Sequence, residues 1–298
     1  MISIIIINYN TFQLTADCIS SVVEYTFCKY EIIVVDNAST ECDPERFKAL
    51  FPFIKLVKNP RNYGFAKGNN TGIRAAAGAL ILLLNSDTVL LNNAIDLACK
   101  KILSDQKIGA LSVKLVSTDG SLQQCTHHWS DLGKLVGCTF RLHHIFSYFK
   151  NIQPDLEKEA YSQYLWGTFF LFPRSILEIF ENRRLPETFF MYGEDTEWSY
   201  YIRAAGYRLY YLPEAKILHY GAASPGPNKA DKWANGFHNE YRLHLIIKGR
   251  LYTFFYYAFL SLFYFSGFRK ENFQRGRYIF KYICKHAFKS RKYFLLKA

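Results

Sequence analysis

Residues 80–90 read Leu80-Ile81-Leu82-Leu83-Leu84-Asn85-Ser86-Asp87-Thr88-Val89-Leu90. Five apolar residues in a row predict a strand buried on both faces, as the strands of parallel sheets usually are. The run stops at three polar residues, the last of which is a carboxylate. Open α/β sheets bind ligands at the carboxyl ends of their strands, and a carboxylate there can offer oxygen to Mg²⁺ or Mn²⁺. The competing interpretation is a strand followed by an ordinary polar turn.

The sequence around this stretch alternates between apolar runs and amphipathic segments. The elements that this pattern predicts are strands at 3–7, 31–35, 54–57 and 80–84 and helices at 14–24 and 73–79. Such alternation is typical of right-handed βαβ units, and it predicts an α/β fold with an open, mostly parallel, Rossmann-like sheet and flanking helices. Later apolar runs predict further strands at 108–116, 165–172, 207–212 and 215–220.

Polar residues follow the first strands. Asp36 ends the second strand, where it either caps a turn or accepts a hydrogen bond from a nucleobase or ribose. The loop 59–70 contains Gly64 and Gly68, whose backbone amides could approach a phosphate. Neither a GxGxxG nor a P-loop pattern is present, which argues against a nicotinamide enzyme or an NTPase.

A second group of polar residues lies at 194–197, where Glu194, Asp195 and Glu197 crowd into the predicted start of a helix beside aromatic residues. These acids either cap the helix or supply a general base whose pKa is set by apolar walls. His219 lies on a predicted strand, where a lone histidine is more often structural.

Six motifs of the sequence resemble those of the inverting GT-A glycosyltransferases of family 2, notably the rhamnosyltransferase-like branch. They occur in the same order as in that family. They cover roughly residues 1–225. The matching pieces are Ile5-Ile6-Ile7-Asn8-Tyr9-Asn10, Val35-Asp36-Asn37-Ala38-Ser39, Asn62 to Asn70, Leu84-Asn85-Ser86-Asp87, Gly193-Glu194-Asp195 with Arg203 and Gly206, and His219.

The resemblance implies a role for each motif. Asp195 would be the catalytic base that deprotonates an acceptor hydroxyl for in-line attack on the anomeric carbon. Asp87 would bind a divalent metal, Mg²⁺ or Mn²⁺, that bridges the donor phosphates, and His219 would add a metal ligand. The residues that the resemblance assigns to donor and nucleotide binding are Asn8, Tyr9, Asp36, Asn62, Gly64, Asn69, Asn85 and Ser86.

The sequence departs from the family pattern at three places. Asn85 replaces the first acid of the DxD-like motif, so fewer charges hold the metal. Lys67 stands where relatives commonly have glycine, and it either contacts phosphate or faces solvent. The run 185–188, Leu-Pro-Glu-Thr, replaces a more usual Gly-Gly-Phe-Asp type of run on the acceptor side.

The charge of the chain is concentrated at its C-terminal end. The formal net charge is +12, and from residue 269 onward ten basic residues face one acid. The rest of the chain is close to neutral, which argues against a nucleic-acid groove through the core. Seven cysteines without a CxxC pair favour reduced thiols over a zinc site or a disulfide framework. No secretory signal is predicted, because the aliphatic run at 4–7 is short and no basic residue precedes it.

Residues 224–228, Ser-Pro-Gly-Pro-Asn, break the pattern and predict a boundary between a glycosyltransferase domain at 1–225 and a helical C-terminal segment at 226–298. The run 251–268 is uncharged and rich in aromatic residues. As a helix it would be about 27 Å long, borderline for spanning a bilayer. The aromatic run and the basic tail favour association with an anionic membrane on its cytoplasmic face, whereas a helix packed on the protein is the competing interpretation.

The sequence therefore favours a metal-dependent inverting transferase that uses a nucleoside-diphosphate sugar. The rhamnosyltransferase-like branch implies L-rhamnose from deoxythymidine-diphosphate rhamnose, and a membrane-associated segment would suit a lipid-linked saccharide acceptor. Two alternatives are a sugar-phosphate nucleotidyltransferase and a non-catalytic nucleotide-sugar-binding module. The first would be expected to carry a glycine-rich, basic N-terminal loop, which Asn8-Tyr9-Asn10-Thr11 is not.

Overall fold

The computed structural model of the protein describes residues 1–127, 131–140, 154–221, 229–266 and 270–286. Contacts divide these residues into two compact units. The first contains the described residues before 128 and those at 154–221, and the second contains residues 131–140 and those from 229 onward. The boundary predicted at residue 225 lies outside the described residues, so the separate segment 226–298 stays a prediction. No sequence signal had placed residues 131–140 with the helical unit.

The first unit is built around a mixed sheet that has ten strands within the described residues. The strands of the protein are β1 (Ile2–Asn8), β2 (Tyr30–Asp36), β3 (Lys55–Lys58), β4 (Leu80–Asn85), β5 (Thr88–Leu90), β6 (Ile108–Val116), β7 (Leu122–Gln123), β8 (Thr126–His127), β9 (Ala160–Ser162), β10 (Tyr164–Leu165), β11 (Phe169–Pro173) and β12 (Arg208–His219). The helices of this unit are α1 (Phe12–Tyr25), α2 (Arg46–Leu50), α3 (Gly64–Ala75), α4 (Ala94–Ser104) and α6 (Glu194–Ala204).

The strand order is β3-β2-β1-β4-β11-β6-β12-β5, with β7 beside β6 and β9 beside β12. The first four strands run parallel to one another, and β12 runs parallel to β6. Strand β11 is antiparallel to both of its neighbours, and β5 is antiparallel to β12. The α/β architecture with a largely parallel sheet is therefore confirmed, with β11 as an antiparallel insertion in its centre.

Strand β4 is buried on both faces, as its apolar run predicted. Leu82 and Leu84 pack into a core with residues of α1 and α4. Ile81 and Leu83 point to the opposite face and pack with residues of α3 and α6. Because side chains alternate between the faces of a strand, an unbroken apolar run is what a sheet between two helical layers requires.

Three of the predicted strands differ from the observed ones. The run 165–172 is divided between β10 and β11, and Gly167 lies in the gap. The two strands predicted at 207–212 and 215–220 are one strand, β12, whose register against β6 shifts between Leu212 and Lys216. Pro213, which has no N–H to donate to a neighbouring strand, lies in this irregularity.

The second unit is helical. Its helices are α5 (Leu132–Thr139), α7 (Lys229–Ile247), α8 (Arg250–Phe265) and α9 (Lys270–His286). Their apolar residues form a separate core around Phe237, Tyr257 and Ile279. In the described part of the chain, each helix is either too short or too polar to cross a membrane.

Candidate active site

The carboxyl ends of β1, β2 and β4 lie side by side. Strand β1 pairs in parallel with both neighbours, and the register places Asn8 opposite Asp36 and Ile7 opposite Asn85. The polar residues that follow these strands therefore gather at one edge of the sheet. This is the edge at which open α/β sheets bind ligands.

Asn8 organises this edge through its amide. Its Nδ2 donates to Asp36 Oδ1 at 2.8 Å and to Ser39 Oγ at 2.9 Å. Its Oδ1 accepts from the hydroxyls of Thr11 and Thr15 at 3.2 and 2.9 Å. Both amide protons are thus used within the protein, so Asn8 positions Asp36 and the loop that follows it.

Asp36 is buried and accepts a second hydrogen bond, from the backbone N–H of Ser39 to Oδ2 at 3.0 Å. Each carboxylate oxygen has a further lone pair, so the group can still accept from a bound nucleoside. Tyr9 is half-buried beside this network. Ser86 Oγ lies 3.2 Å from Thr11 Oγ1, which connects the end of β4 to the start of α1.

The loop before α3 is fixed by its own polar groups. Asn62 Oδ1 accepts the backbone N–H of Gly64 at 2.9 Å. Gly64 has a φ of +74°, and a Cβ there would lie 2.2 Å from the carbonyl oxygen of Phe190. Glycine is therefore required by both the backbone conformation and the close approach of another chain segment.

Two residues of the predicted loop 59–70, Asn69 and Lys67, lie instead in α3, which begins at Gly64, and their surroundings differ. Asn69 is 1% exposed, and its Nδ2 has no hydrogen-bond partner among the described residues. A buried unpaired donor is costly unless a ligand or water satisfies it. Lys67 places its ammonium 4.1 Å from the centre of the Tyr63 ring, and Arg61 lies over the same ring. Lys67, in the first turn of α3, therefore shares the Tyr63 ring with a second cation.

Two buried amides of this region were missed by the sequence reasoning. Asn59 Nδ2 donates to Asn37 Oδ1 at 2.7 Å, and Asn37 Nδ2 donates to the carbonyl of Gly64 at 3.1 Å. They tie the end of β2 to the start of α3. Asn37 lies in one of the quoted motifs and Asn59 at the start of the predicted loop 59–70, but neither signal could show which amides bind each other.

Asp87 and His219 are brought together as a candidate metal pair. Asp87 lies in the turn between β4 and β5, and its carbonyl accepts the backbone N–H of Tyr220 at 3.0 Å. This bond places the turn at the end of β12. His219 Nε2 lies 3.5 Å from Asp87 Oδ1, and both side chains are largely buried.

Gln123, which the sequence reasoning missed, fixes the orientation of His219. Its Nε2 donates to the carbonyl of His219 at 2.7 Å and to Ser117 Oγ at 3.0 Å, which sets the amide orientation. Its Oε1 then faces His219 Nδ1 at 2.6 Å. Because an amide oxygen only accepts, the proton of the neutral imidazole lies on Nδ1.

Whenever His219 is neutral, this tautomer leaves the lone pair of its Nε2 facing the carboxylate of Asp87. Two acceptors that face each other at 3.5 Å form an arrangement that a cation stabilises. The described residues contain no group of three or more His, Cys, Asp or Glu side chains that could hold a metal. A pair suits a metal that takes its remaining ligands from substrate phosphates and water, so these residues fit a nucleotide-bound divalent ion.

Asp195 lies at the same end of β4, although it belongs to a distant part of the chain. Its Oδ2 accepts the backbone N–H of Gly167 at 2.9 Å. The next residue, Thr168, accepts the backbone N–H of Asn85 through its carbonyl at 3.0 Å. The gap between β10 and β11 therefore positions the candidate base next to the DxD-like motif.

The two adjacent acids have different surroundings. Burial, reinforced by the charge of Asp195, holds the pKa of Glu194 well above its usual range. Glu194 Oε2 has no hydrogen-bond partner among the described residues. Burial also raises the pKa of Asp195, but the N–H groups of Gly167 and Thr196 and the Thr196 hydroxyl oppose this shift.

The two acids differ in the groups that favour their charged forms. Three donors stabilise the carboxylate of Asp195 and oppose the rise of its pKa, whereas the pKa of Glu194 is held well above its usual range. Titratable pairs whose environments push their pKa values apart are typical of acid–base sites. Asp195 is the member that remains partly exposed, so it can reach a substrate.

Comparison with known proteins agrees with this geometry. The profile of the family described as "Glycosyl transferase family 2" matches residues 3–180. A UDP-Glc:alpha-D-GlcNAc-diphosphoundecaprenol beta-1,3-glucosyltransferase of Escherichia coli is 32% identical over 108 residues, which are 35% of this chain and 42% of that protein. The chondroitin synthase of Pasteurella multocida is 27% identical over 154 residues, which are 50% of this chain and 16% of that protein. The chain thus spans less than half the length of these two relatives.

A solved structure of GalNAc-T7 with UDP, GalNAc and Mn²⁺ superposes with a TM-score of 0.62 at 16% identity. The superposition covers 99% of this chain and 56% of that one. At this identity the likeness concerns the fold, which is that of the GT-A glycosyltransferases.

Proposed function

The chain belongs to glycosyl transferase family 2, and on this premise we propose that it is a metal-dependent inverting transferase. In this proposal a sugar moves from a nucleoside diphosphate to a hydroxyl of a glycan or lipid-linked saccharide during cell-surface polysaccharide synthesis. The observation that carries the proposal is the position of Asp195. This carboxylate accepts three hydrogen bonds, is partly exposed and is held next to the end of β4, beside a buried acid whose pKa lies well above its usual range.

In the proposed reaction Asp195 takes the proton of the acceptor hydroxyl. The acceptor oxygen forms a bond to the anomeric carbon as the bond from that carbon to the diphosphate breaks, and the electron pair leaves with the diphosphate oxygen. Attack from the opposite face inverts the configuration. A divalent ion held by Asp87 and His219 would neutralise the charge on the departing diphosphate.

The nucleoside side of the site is proposed at the ends of β1 and β2. Asp36 accepts from the nucleoside, Asn8 holds Asp36 in place, and Tyr9 lines the pocket. Asn62, in the loop before α3, and Gly64 and Asn69, in α3, contribute polar groups to the donor side, and the unpaired Asn69 Nδ2 supports this assignment. Asn85 and Ser86 complete it at the end of β4.

The identity of the sugar is the least constrained part of the proposal. The resemblance to the rhamnosyltransferase-like branch supports L-rhamnose from deoxythymidine-diphosphate rhamnose. The Escherichia coli relative instead takes its sugar from UDP-Glc, and its acceptor is a saccharide on diphosphoundecaprenol. Its name therefore supports a lipid-linked acceptor for this chain as well.

The test is a panel of deoxythymidine- and uridine-diphosphate sugars assayed with lipid-diphosphate saccharide acceptors, with Mg²⁺, with Mn²⁺ and with chelator. We expect turnover with one donor class, only with metal, and a product of inverted anomeric configuration by NMR. The Asp87→Ala variant should weaken nucleoside-diphosphate binding in the presence of metal and leave metal-free binding unchanged. Turnover in chelator, a retained configuration, or donor binding without any transfer would contradict the proposal.

A further inference from the structure

Helix α8 has two apolar faces. Thr253, Tyr256, Tyr257 and Ser261 are buried on the inner face. The outer face carries Leu251, Phe254, Phe255 and Leu262, which are exposed by 72%, 37%, 45% and 52%. Phe254 and Phe255 lie three and four residues after Leu251, and Leu262 lies seven residues after Phe255, so these residues form one stripe. No charged residue occurs between Leu251 and Phe265.

Helix α9 continues this stripe. Ser261 Oγ donates to the carbonyl of Gly276 at 2.9 Å, and the rings of Phe265 and Phe273 lie 5.2 Å apart. Phe280 lies four residues beyond Gly276, on the same side of α9. Phe273 and Phe280 are 55% and 53% exposed. The exposed aromatic residues of α9 therefore border α8, and together with the α8 stripe they form the outer apolar face.

A basic stripe runs along the outer apolar face. Arg277, Lys281 and Lys285 are exposed and follow one another at intervals of four residues on α9. Arg277 lies four residues after Phe273, so the positive charges flank the aromatic ones. Glu271, the acid of this helix, is bonded to Arg275 on its own helix.

We propose that the outer apolar face of α8 and α9 docks on an anionic lipid surface, with α8 lying in the plane of the interface. Exposed apolar patches of this kind mark interaction sites, and a helix that is apolar all round is not expected in water. The basic residues beside this face favour an anionic lipid surface as its partner. Their positive charges complement anionic headgroups, while the aromatic residues reach the boundary of the acyl chains. This inference does not depend on the chemistry of the active site.

The inner face of α8 decides how the helix can sit. Because Tyr257 and Ser261 are buried in the helical core, α8 cannot surround itself with lipid. Only its outer face is available, which leaves a surface orientation. Packing on the protein, one of the two interpretations of the uncharged run, thus applies to the inner face of α8. Membrane association, the other interpretation, is proposed for the outer face.

The experiment measures binding of the full chain to phosphatidylcholine vesicles with and without phosphatidylglycerol. The variant Phe254→Glu/Phe255→Glu should lose vesicle binding by at least tenfold, since it removes apolar burial and adds like charge. Arg277→Gln and Lys281→Gln should each weaken binding to anionic vesicles by about fivefold, and high salt should erase the difference. All these side chains are exposed, so the variants should fold.

Leu103→Glu is the matched control. Leu103 is a 69% exposed apolar residue on α4, in the other compact unit. This variant should bind vesicles as the original chain does. If Leu103→Glu and Phe254→Glu/Phe255→Glu lost vesicle binding equally, binding would depend on overall apolar exposure, and the proposal would be wrong.

The orientation of α8 has its own readout. Tryptophan placed at Leu251 or at Leu262, about 16 Å apart along the helix, reports depth through quenching by brominated lipids. Both positions should be quenched alike, beyond the signal of the native tryptophans, whereas Leu103→Trp should add nothing. Unequal depths would refute the surface orientation.

A second copy of the chain is the other occupant that the test must recognise. Sedimentation velocity of the original chain and of the glutamate variant shows whether the face joins two copies. A dimer that the glutamates dissociate, in a protein that does not bind anionic vesicles, overturns the proposal. Failure of the original chain to bind these vesicles as a monomer overturns it as well.

Discussion

Replacement of Gln123 by methionine should weaken divalent-metal binding although Gln123 is not placed as a ligand. The methionine keeps the length of the side chain and removes the acceptor that holds the proton on His219 Nδ1. The imidazole is then free to place its proton on Nε2, which faces Asp87 Oδ1 at 3.5 Å. In this tautomer Nε2 donates to the carboxylate and cannot bind a metal.

The size of the effect follows from the bond that metal binding must break. A hydrogen bond to a charged group contributes about 1.5–3 kcal/mol, which corresponds to roughly 10- to 150-fold in affinity. This range overlaps the 10- to 100-fold losses typical of residues that orient a metal-binding histidine. Gln123 also donates to the carbonyl of His219 and to Ser117 Oγ. The loss of these two hydrogen bonds should lower the free energy of unfolding by about 1 kcal/mol each.

The assay is titration of Mn²⁺ in the presence of a nucleoside diphosphate, followed by calorimetry or by electron paramagnetic resonance. Gln123→Glu retains an acceptor for Nδ1 and should keep much of the affinity. Gln124→Met is the control, because the neighbouring Gln124 bonds to Thr126 instead of the site. Unchanged Mn²⁺ affinity in Gln123→Met, or an equal loss in Gln124→Met, would refute the orienting role.

Three further outcomes are expected. Asp195→Asn should lower kcat by about 10²- to 10⁴-fold without changing metal-dependent nucleotide affinity, and near-normal turnover would remove Asp195 from the role of base. Glu194→Gln should keep activity and raise the melting temperature increasingly as the pH rises above the ordinary glutamate pKa. Above that pKa the unfolded chain releases a proton that folded Glu194 retains, so the original protein loses stability as the pH rises. If the melting temperatures of the variant and the original protein differed by the same amount at low and at neutral pH, the raised pKa would be contradicted. Gly64→Ala should destabilise the fold and raise the donor KM, because it adds a clash with Phe190 to a backbone strain of about 1–2 kcal/mol. Gly120→Ala, which has φ +82° in open space, should show the strain alone, and equal losses of stability in the two glycine variants would exclude the clash.

The sheet could be predicted because its signal is local. Leu80–Leu84 is apolar at every position, and a strand between two helical layers needs apolar groups on both faces. The strand ends were also readable, since a polar group directly after such a run has to lie at the edge of the sheet. The antiparallel insertion of β11 between β4 and β6 was not readable, because strand order depends on contacts between distant segments.

The candidate site could be proposed from the sequence only where a motif contains chemically reactive or metal-binding side chains. Gln123 lies 96 residues before His219 and occupies a two-residue strand without periodicity, so nothing in the sequence singled it out. No sequence signal marked Gly167 either, because this residue acts through its backbone N–H, which donates to Asp195. The sequence could show that residues 251–268 are uncharged, but the two different faces of α8 depend on what packs against it.

The run 185–188, which departs from the family pattern, is held between α3 and α6 by hydrogen bonds from Asn70 and Trp198. Asn70, on α3, donates to the carbonyl of Leu185 at 2.7 Å and accepts its backbone N–H at 3.0 Å. Its Nδ2 also reaches Glu187 Oε1 at 2.9 Å. On the other side, Trp198 of α6 donates to the carbonyl of Pro186 at 3.0 Å.

These bonds connect the donor loop to the helix that carries the candidate base. The N–H of Phe65 donates to the carbonyl of Phe190 at 2.9 Å, and the ring of Phe65 stacks near that of Trp198, with centroids 6.1 Å apart. A Cβ on Gly167 would meet the Phe65 ring at 2.8 Å, so the residue that positions Asp195 also contacts the donor loop. The start of α3 and the helix that carries Asp195 are therefore packed together. Residues 185 and 186 are held through their backbone groups, so an unusual sequence at 185–188 is compatible with these contacts.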